Sequence, residues 1–240
     1  MSQPAQLARY PDFYILSFFG NGTRAEAGVQ MLSEMFSKRS VEVWGVNYPG
    51  YGGSTGPAKV AKIAPVAVTA FDTLNKLADG RPIIVFGSSL GTTAALHVAV
   101  QRRVTGVILE NPPAIRQMIR GEYGWWNLWL LAEPYSLQVP KDLDNIANAK
   151  KVRAPGVFLL GQKDNFVLPK YQAPVRDAYA GEKLVIPVTA SGHNAPIRDA
   201  ALYQLQQSID WLLAEGSLAL RGRKLRADGS QTSPYPITSK

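Results

Sequence analysis

The 240-residue chain has no cysteine and only two histidines, His97 and His193. The first absence excludes a disulfide framework and thiolate chemistry. The second leaves too few imidazoles for a histidine-rich metal site, so no metal is expected. No run of about 18 apolar residues occurs, so no membrane-spanning helix is expected. The opening MSQPAQLARYPD is polar, and the apolar FYILSFF that follows is short and lacks a basic flank, so no secretory leader is expected. Together these absences predict a reducing, cytoplasmic setting. Acidic residues are also scarce, with 18 Asp and Glu against 26 Lys and Arg, a net charge of +8. Half of that excess sits in the last twenty residues, RGRKLRADGSQTSPYPITSK, where Arg221, Arg223, Lys224, Arg226 and Lys240 face only Asp228. A short basic stretch rich in Ser, Thr and Pro is expected to be a disordered tail over 221–240. Charge is the only nucleic-acid footprint, so no specific nucleic-acid partner is expected.

What is present is a composition of 46% hydrophobic and 18% charged residues, ordinary for one globular domain, here placed over 1–220. Apolar, β-branched runs alternate with helix-like stretches. The runs Phe13–Phe19, Val41–Tyr48, Pro82–Gly87, Val104–Glu110, Pro155–Gly161 and Lys183–Val188 read as strands. Val29, Leu32 and Phe36 mark a helix over 23–37. A second covers about 64–78, and Leu202, Leu205, Ile209 and Leu212 share one face of the last. Short non-alternating strands separated by helices predict an α/β fold with a mostly parallel, doubly wound sheet. One connection is too long to lack structure. It is read as a small helical cap over 114–152 containing EYGWWNLWLLAEPY, whose Trp125, Trp126 and Trp129 line an apolar acyl pocket or form the cap's own core.

The stretch VFGSSLGTTAA, Val85 to Ala95, carries the chemistry. Gly87, Ser89 and Gly91 fit G-x-S-x-G between a strand and a helix. Ser88 fits no such frame, because Phe86 and Leu90 would flank it. A strand that turns sharply into a helix crowds the positions two residues to either side, which is why glycines stand there. The turn pushes the Ser89 hydroxyl out at the carboxyl end of the sheet. A serine nucleophile needs a base. His193, in the small-residue loop TASGHNAP after the last strand, can reach that edge, whereas His97 sits inside the helix and reads as a packed residue. Asp164, in LLGQKDNFVLP, follows the preceding strand and is the candidate orienting acid, with Glu110 at the end of VILE as a substitute. The oxyanion donors expected are the Leu90 N–H and, from the loop FFGNGTRAE, the Asn21 N–H.

Together these residues resemble the α/β-hydrolase superfamily, in particular its compact serine-hydrolase branch. NYPGYGGSTG (Asn47 to Gly56), GSSLG, LENPP (Leu109 to Pro113) and the late GxxD…GH pair carry the resemblance, which spans Phe13 to Leu213. It implies a cofactor-independent hydrolase of a small-molecule ester or thioester, of the esterase, thioesterase or lipase kind. Two departures stand out. Phe19 replaces the histidine usual before the oxyanion glycine, which predicts a rearranged loop. About twelve residues precede FYILSFF where the family places two antiparallel strands, so that edge hairpin is expected to be absent or shortened, through loss or a late chain start. An uncovered edge would favour a homodimer, and the tryptophans with the basic tail would favour peripheral membrane contact. The alternative reading is a non-catalytic binding or scaffold protein that kept the elbow.

Overall fold

The structure, a computed structural model, describes residues 2–4, 11–20, 23–123 and 139–227. Six strands fall on the six apolar runs: β2 Phe13–Phe18, β3 Val41–Val46, β4 Ile83–Ser88, β5 Gly106–Glu110, β6 Gly156–Lys163 and β7 Lys183–Ser191. A seventh, β1 Ser2–Pro4, runs antiparallel to β3 at one edge, the one N-terminal edge strand among the described residues. The sheet order is β1-β3-β2-β4-β5-β6-β7, and all pairs beyond β1–β3 are parallel. After the edge strand β1 the chain enters the sheet at β2, steps to β3 on one side, and returns to the other side of β2 at β4. Ligands of such sheets bind at the carboxyl ends of the strands, where the winding reverses.

Both faces of the sheet are buried, which is why its strands are apolar without alternation. Tyr14, Leu16, Phe18, Val85 and Leu109 pack on one face against α2 (Ile63–Ala78) and α3 (Gly91–Gln101). Phe13, Ile15, Ile84, Phe86 and Ile108 pack on the other against α1 (Ala25–Met35) and α7 (Asp199–Ala227). Each such side chain contributes about 1.5–3 kcal/mol on burial, and the strand ends inherit the resulting rigidity. α7 supplies Leu205, Ile209 and Leu212, as the helical spacing predicts, and continues to Ala227. The first seven residues of the expected tail, 221–227, are therefore helical, and residues 228–240 lie outside the described residues. Among the described residues no helix is long and apolar enough to cross a membrane.

The segment between β5 and β6 contains α4 (Ile115–Tyr123), a 3₁₀ turn at Lys141–Leu143 and α5 (Asn145–Ala149). Trp125, Trp126 and Trp129 lie outside the described residues. α6 (Pro169–Ala178) follows β6, and its Tyr171 fastens α4, donating its hydroxyl to Glu122 at 2.8 Å.

Candidate active site

Ser89 sits between β4 and α3 with φ +51°, a left-handed conformation that costs a non-glycine residue about 1–3 kcal/mol. Three features hold it there. Its N–H donates to the Glu110 carbonyl at 2.9 Å, tying the turn to β5. Gly87 lets α3 approach, for a Cβ there would lie 2.7 Å from Thr92 Cα and 2.8 Å from Ala95 Cβ. Gly91 sits directly against the Phe18 carbonyl at the end of β2, leaving no room for a side chain. The crowding that the glycine spacing implied is therefore real, but each glycine yields to a different neighbour.

The three loops at the carboxyl edge converge. His193 Nε2 lies 3.0 Å from Ser89 Oγ, and His193 Nδ1 lies 2.7 Å from Asp164 Oδ2. Asp164 is buried, and its second oxygen accepts the backbone N–H groups of Phe166 and Val167, each at 2.8 Å. With Oδ2 facing Nδ1, the proton belongs on Nδ1 and Nε2 is left to accept from the serine hydroxyl. The placement follows from β6 and β7. They remain paired as far as Lys163 and Ser191, across an irregularity between Gly161 and Lys163, and the Gly192 N–H donates to the Lys163 carbonyl at 3.0 Å. Asp164 and His193 leave the sheet side by side, and a bulge before a functional residue re-aims it.

The second candidate of each kind takes another place. Ser88 makes no hydrogen bond to the imidazole; it is paired with Glu110 across β4 and β5, and its hydroxyl acts on the Glu110 carboxyl. Burial pushes the Glu110 carboxyl above its ordinary range, opposed by the Ser88 hydroxyl and by His193 and reinforced by Asp164. Glu110 makes no hydrogen bond to His193, whose two ring nitrogens are taken by Asp164 and Ser89. His97 is buried in α3, and burial holds its imidazole below its ordinary value.

The oxyanion side is described in part. The Leu90 N–H, next to Ser89, has no acceptor among the described residues, which leaves it free to serve as an oxyanion donor. Asn21 lies outside the described residues. Its neighbour Gly20 packs on Ser89, since a Cβ there would lie 3.0 Å from Ser89 Cβ and 3.5 Å from Ser89 Oγ. Phe19 is buried on the α1 face, 6.0 Å from the Phe86 ring and over Gly28. Apolar packing braces the loop root where an imidazole would otherwise stand.

Three contributors carried no signal strong enough to find them in the sequence. Asn111, at φ +47° in the turn after β5, accepts from the Gly161 N–H at 2.8 Å and donates to the His193 carbonyl at 3.3 Å. It holds the loops of Asp164 and His193 together, and its only trace was the ENPP turn. Asn47 accepts the Ala25 N–H at 2.9 Å and so caps α1, while Tyr48 stacks on Phe18 with Tyr51 edge-on, which gives NYPGYGGS a bracing role. Phe166 is 62% exposed, yet its ring lies 5.1 Å from the imidazole. No group of three or more His, Asp or Glu among the described residues is arranged to hold a metal.

Residues 20–149 match the alpha/beta hydrolase family. Among individual proteins, bem46 of Schizosaccharomyces pombe is 27% identical over 160 residues, and an uncharacterised protein of Mycobacterium tuberculosis is 30% identical over 154. These stretches cover 65% and 62% of this chain, and 52% of each relative, so the match spans about half of their length. Similar solved structures include Est1E of Butyrivibrio proteoclasticus with ferulic acid bound (TM-score 0.68, 14% identity, 90% of this chain and 94% of that one). A monoacylglycerol lipase of Paleococcus ferrophilus (0.63, 15%, 86% and 96%) and an acetyl xylan esterase of Paenibacillus sp. R4 (0.64, 14%, 88% and 77%) share the fold as well.

Proposed function

The chain belongs to the alpha/beta hydrolase family, and from that premise we propose that it is a cofactor-independent serine hydrolase of carboxylic esters or thioesters. The observation that carries this reading is the single imidazole bridging Ser89 Oγ, at 3.0 Å, and buried Asp164, at 2.7 Å. Ser89 Oγ attacks the acyl carbon while its proton passes to His193 Nε2. Asp164 keeps the other proton on Nδ1 and balances the imidazolium that forms. The Leu90 N–H, with a second donor expected from Asn21, receives the developing oxyanion. As the tetrahedral species collapses, the imidazolium protonates the departing alcohol or thiol, leaving an acyl-serine. Water then attacks that ester, gives its proton to His193, and the acid leaves as Ser89 is reprotonated.

The esters acted on by the structurally similar esterases and lipase support the bond type, and the exposed Phe166 ring supports an apolar substrate group beside the base. A fluorophosphonate probe tests the reading, since it reacts with activated serines. Labelling that maps to Ser89 and disappears in His193→Ala is the expected outcome. A folded chain that is not labelled would instead be a binding or scaffold protein on a hydrolase fold.

A further inference from the structure

A cavity of about 480 Å³, within the usual range for small-ligand sites, opens between α4 and α5. No residue of the Ser89 array lines it. Its wall carries Arg116, Arg120, Lys150 and Lys151 against one acid, Asp144. Charge alone would make this a basic patch, but two buried atoms say more. Folded proteins leave few buried polar side-chain atoms unpartnered, and each one calls for an explanation. The described residues contain four, and two of them, Arg116 Nε and Asn145 Oδ1, belong to residues of this wall.

The chemistry of the pair is defined by what surrounds it. Arg116 Nη2 donates to the Val139 carbonyl at 2.9 Å, and Nε approaches Asp144 Oδ2 only to 3.5 Å. The other Asp144 oxygen is occupied by the Ala147 N–H, capping α5. Asn145 is 1% exposed. Its Nδ2 donates to Thr92 Oγ1 and to the Pro113 carbonyl, both at 2.9 Å. Thr92 Oγ1 spends its own proton on the Ser89 carbonyl, and a carbonyl only accepts, so the amide is fixed with its nitrogen toward both. The atom left over is an acceptor. The wall thus offers a buried cationic donor, a buried acceptor, and two exposed ammonium groups at the rim. Arg120, itself partnered, adds only long-range charge.

We propose that this cavity is a binding site for a hydroxyl-bearing phosphate, either hydrogen phosphate or a phosphate ester with a free hydroxyl. Arg116 Nε and the Lys150 and Lys151 ammonium groups donate to phosphate oxygens, and Asn145 Oδ1 accepts the ligand O–H. Phosphate binding there requires no acyl transfer at Ser89.

Calorimetric titration of the full chain with inorganic phosphate and with sulfate tests this directly. Hydrogen phosphate keeps one O–H and sulfate has none at neutral pH, so saturable phosphate binding about tenfold tighter than sulfate is expected. Lys150→Ala combined with Lys151→Ala alters only exposed side chains and should weaken phosphate by about tenfold at an unchanged melting temperature. Arg116→Gln, checked for folding by its melt, should weaken it further. Glycerol 3-phosphate and phosphatidylcholine vesicles with and without phosphatidic acid separate a soluble ligand from a lipid headgroup. No saturable phosphate binding, equal affinity for sulfate, an unaffected double-lysine variant, or capture by vesicles alone would each overturn the site.

Discussion

The carboxyl edge of the sheet and the α4–α5 segment use buried polar groups in opposite ways. At the edge, both nitrogens of His193, both oxygens of Asp164 and both amide atoms of Asn111 have partners within the protein. Their loops leave strands whose side chains are packed on two faces, so the geometry is set before any ligand arrives. Between α4 and α5, Arg116 and Asn145 are also anchored, yet each keeps one buried atom without a hydrogen-bond partner among the described residues. A saturated network fixes a geometry. An unsaturated one, held in place, specifies what is to be bound.

Removing members of the saturated network should have the largest effects. Ser89→Ala is expected to abolish turnover of short p-nitrophenyl esters, while Ser88→Ala keeps most of it, because only Ser89 Oγ lies against the imidazole. His193→Ala should match Ser89→Ala, and the double variant should be no slower than either alone, since such residues act as a unit. A double variant much slower than both singles would break the assignment. Asp164→Asn should keep the fold and its melt but lower kcat by about 10⁴-fold, because an amide holds the ring without balancing its charge.

The sequence made these residues legible because their signals are short and local. Gly87, Ser89 and Gly91 report a backbone turn, and Asp164 and His193 each follow an apolar strand directly, so strand order alone puts them on one edge. All six long strands were readable for a related reason, since burial on two faces demands continuous apolar runs. The edge strand β1 was not readable, because three residues paired on one side need no such run. Asn111 and Asn145 were invisible for a different reason. Each works through contacts 50 or more positions away in the chain, Asn111 to Gly161 and Asn145 to Thr92, and no spacing rule encodes that. The extension of α7 to Ala227 was not read, because the basic stretch beyond 220 carries no apolar periodicity in the sequence to announce a helix.

A smaller and selective effect is expected at Phe166. Its backbone N–H serves Asp164, and any side chain at this position can keep that bond. The ring is a separate matter, exposed and beside the His193 imidazole. Phe166→Ala should lower kcat/KM for esters with long or aromatic groups by about tenfold, the scale of one lost aromatic contact. For p-nitrophenyl acetate it should change kcat/KM little. Equal losses on both substrates would show that the ring positions His193 rather than the substrate.

The smallest effect should come from Glu110, and its sign is the informative part. Burial raises the folded-state value above the ordinary 4.5, so the fold prefers the neutral carboxyl. A group raised on folding contributes its stability fully below the unfolded value and loses it as pH rises through the folded one. As pH rises above the unfolded value the native residue progressively gives up that contribution, whereas glutamine, neutral at every pH, does not. Glu110→Gln should melt at or above the native temperature at pH 7, and the gap should close toward pH 4.5. Its kcat should stay near the native value, because Asp164 already occupies Nδ1 of His193. Melting curves across this pH range, with kcat measured at pH 7, check both halves. A Glu110→Gln chain that melts normally but has lost its kcat would transfer the role of orienting acid from β6 to β5.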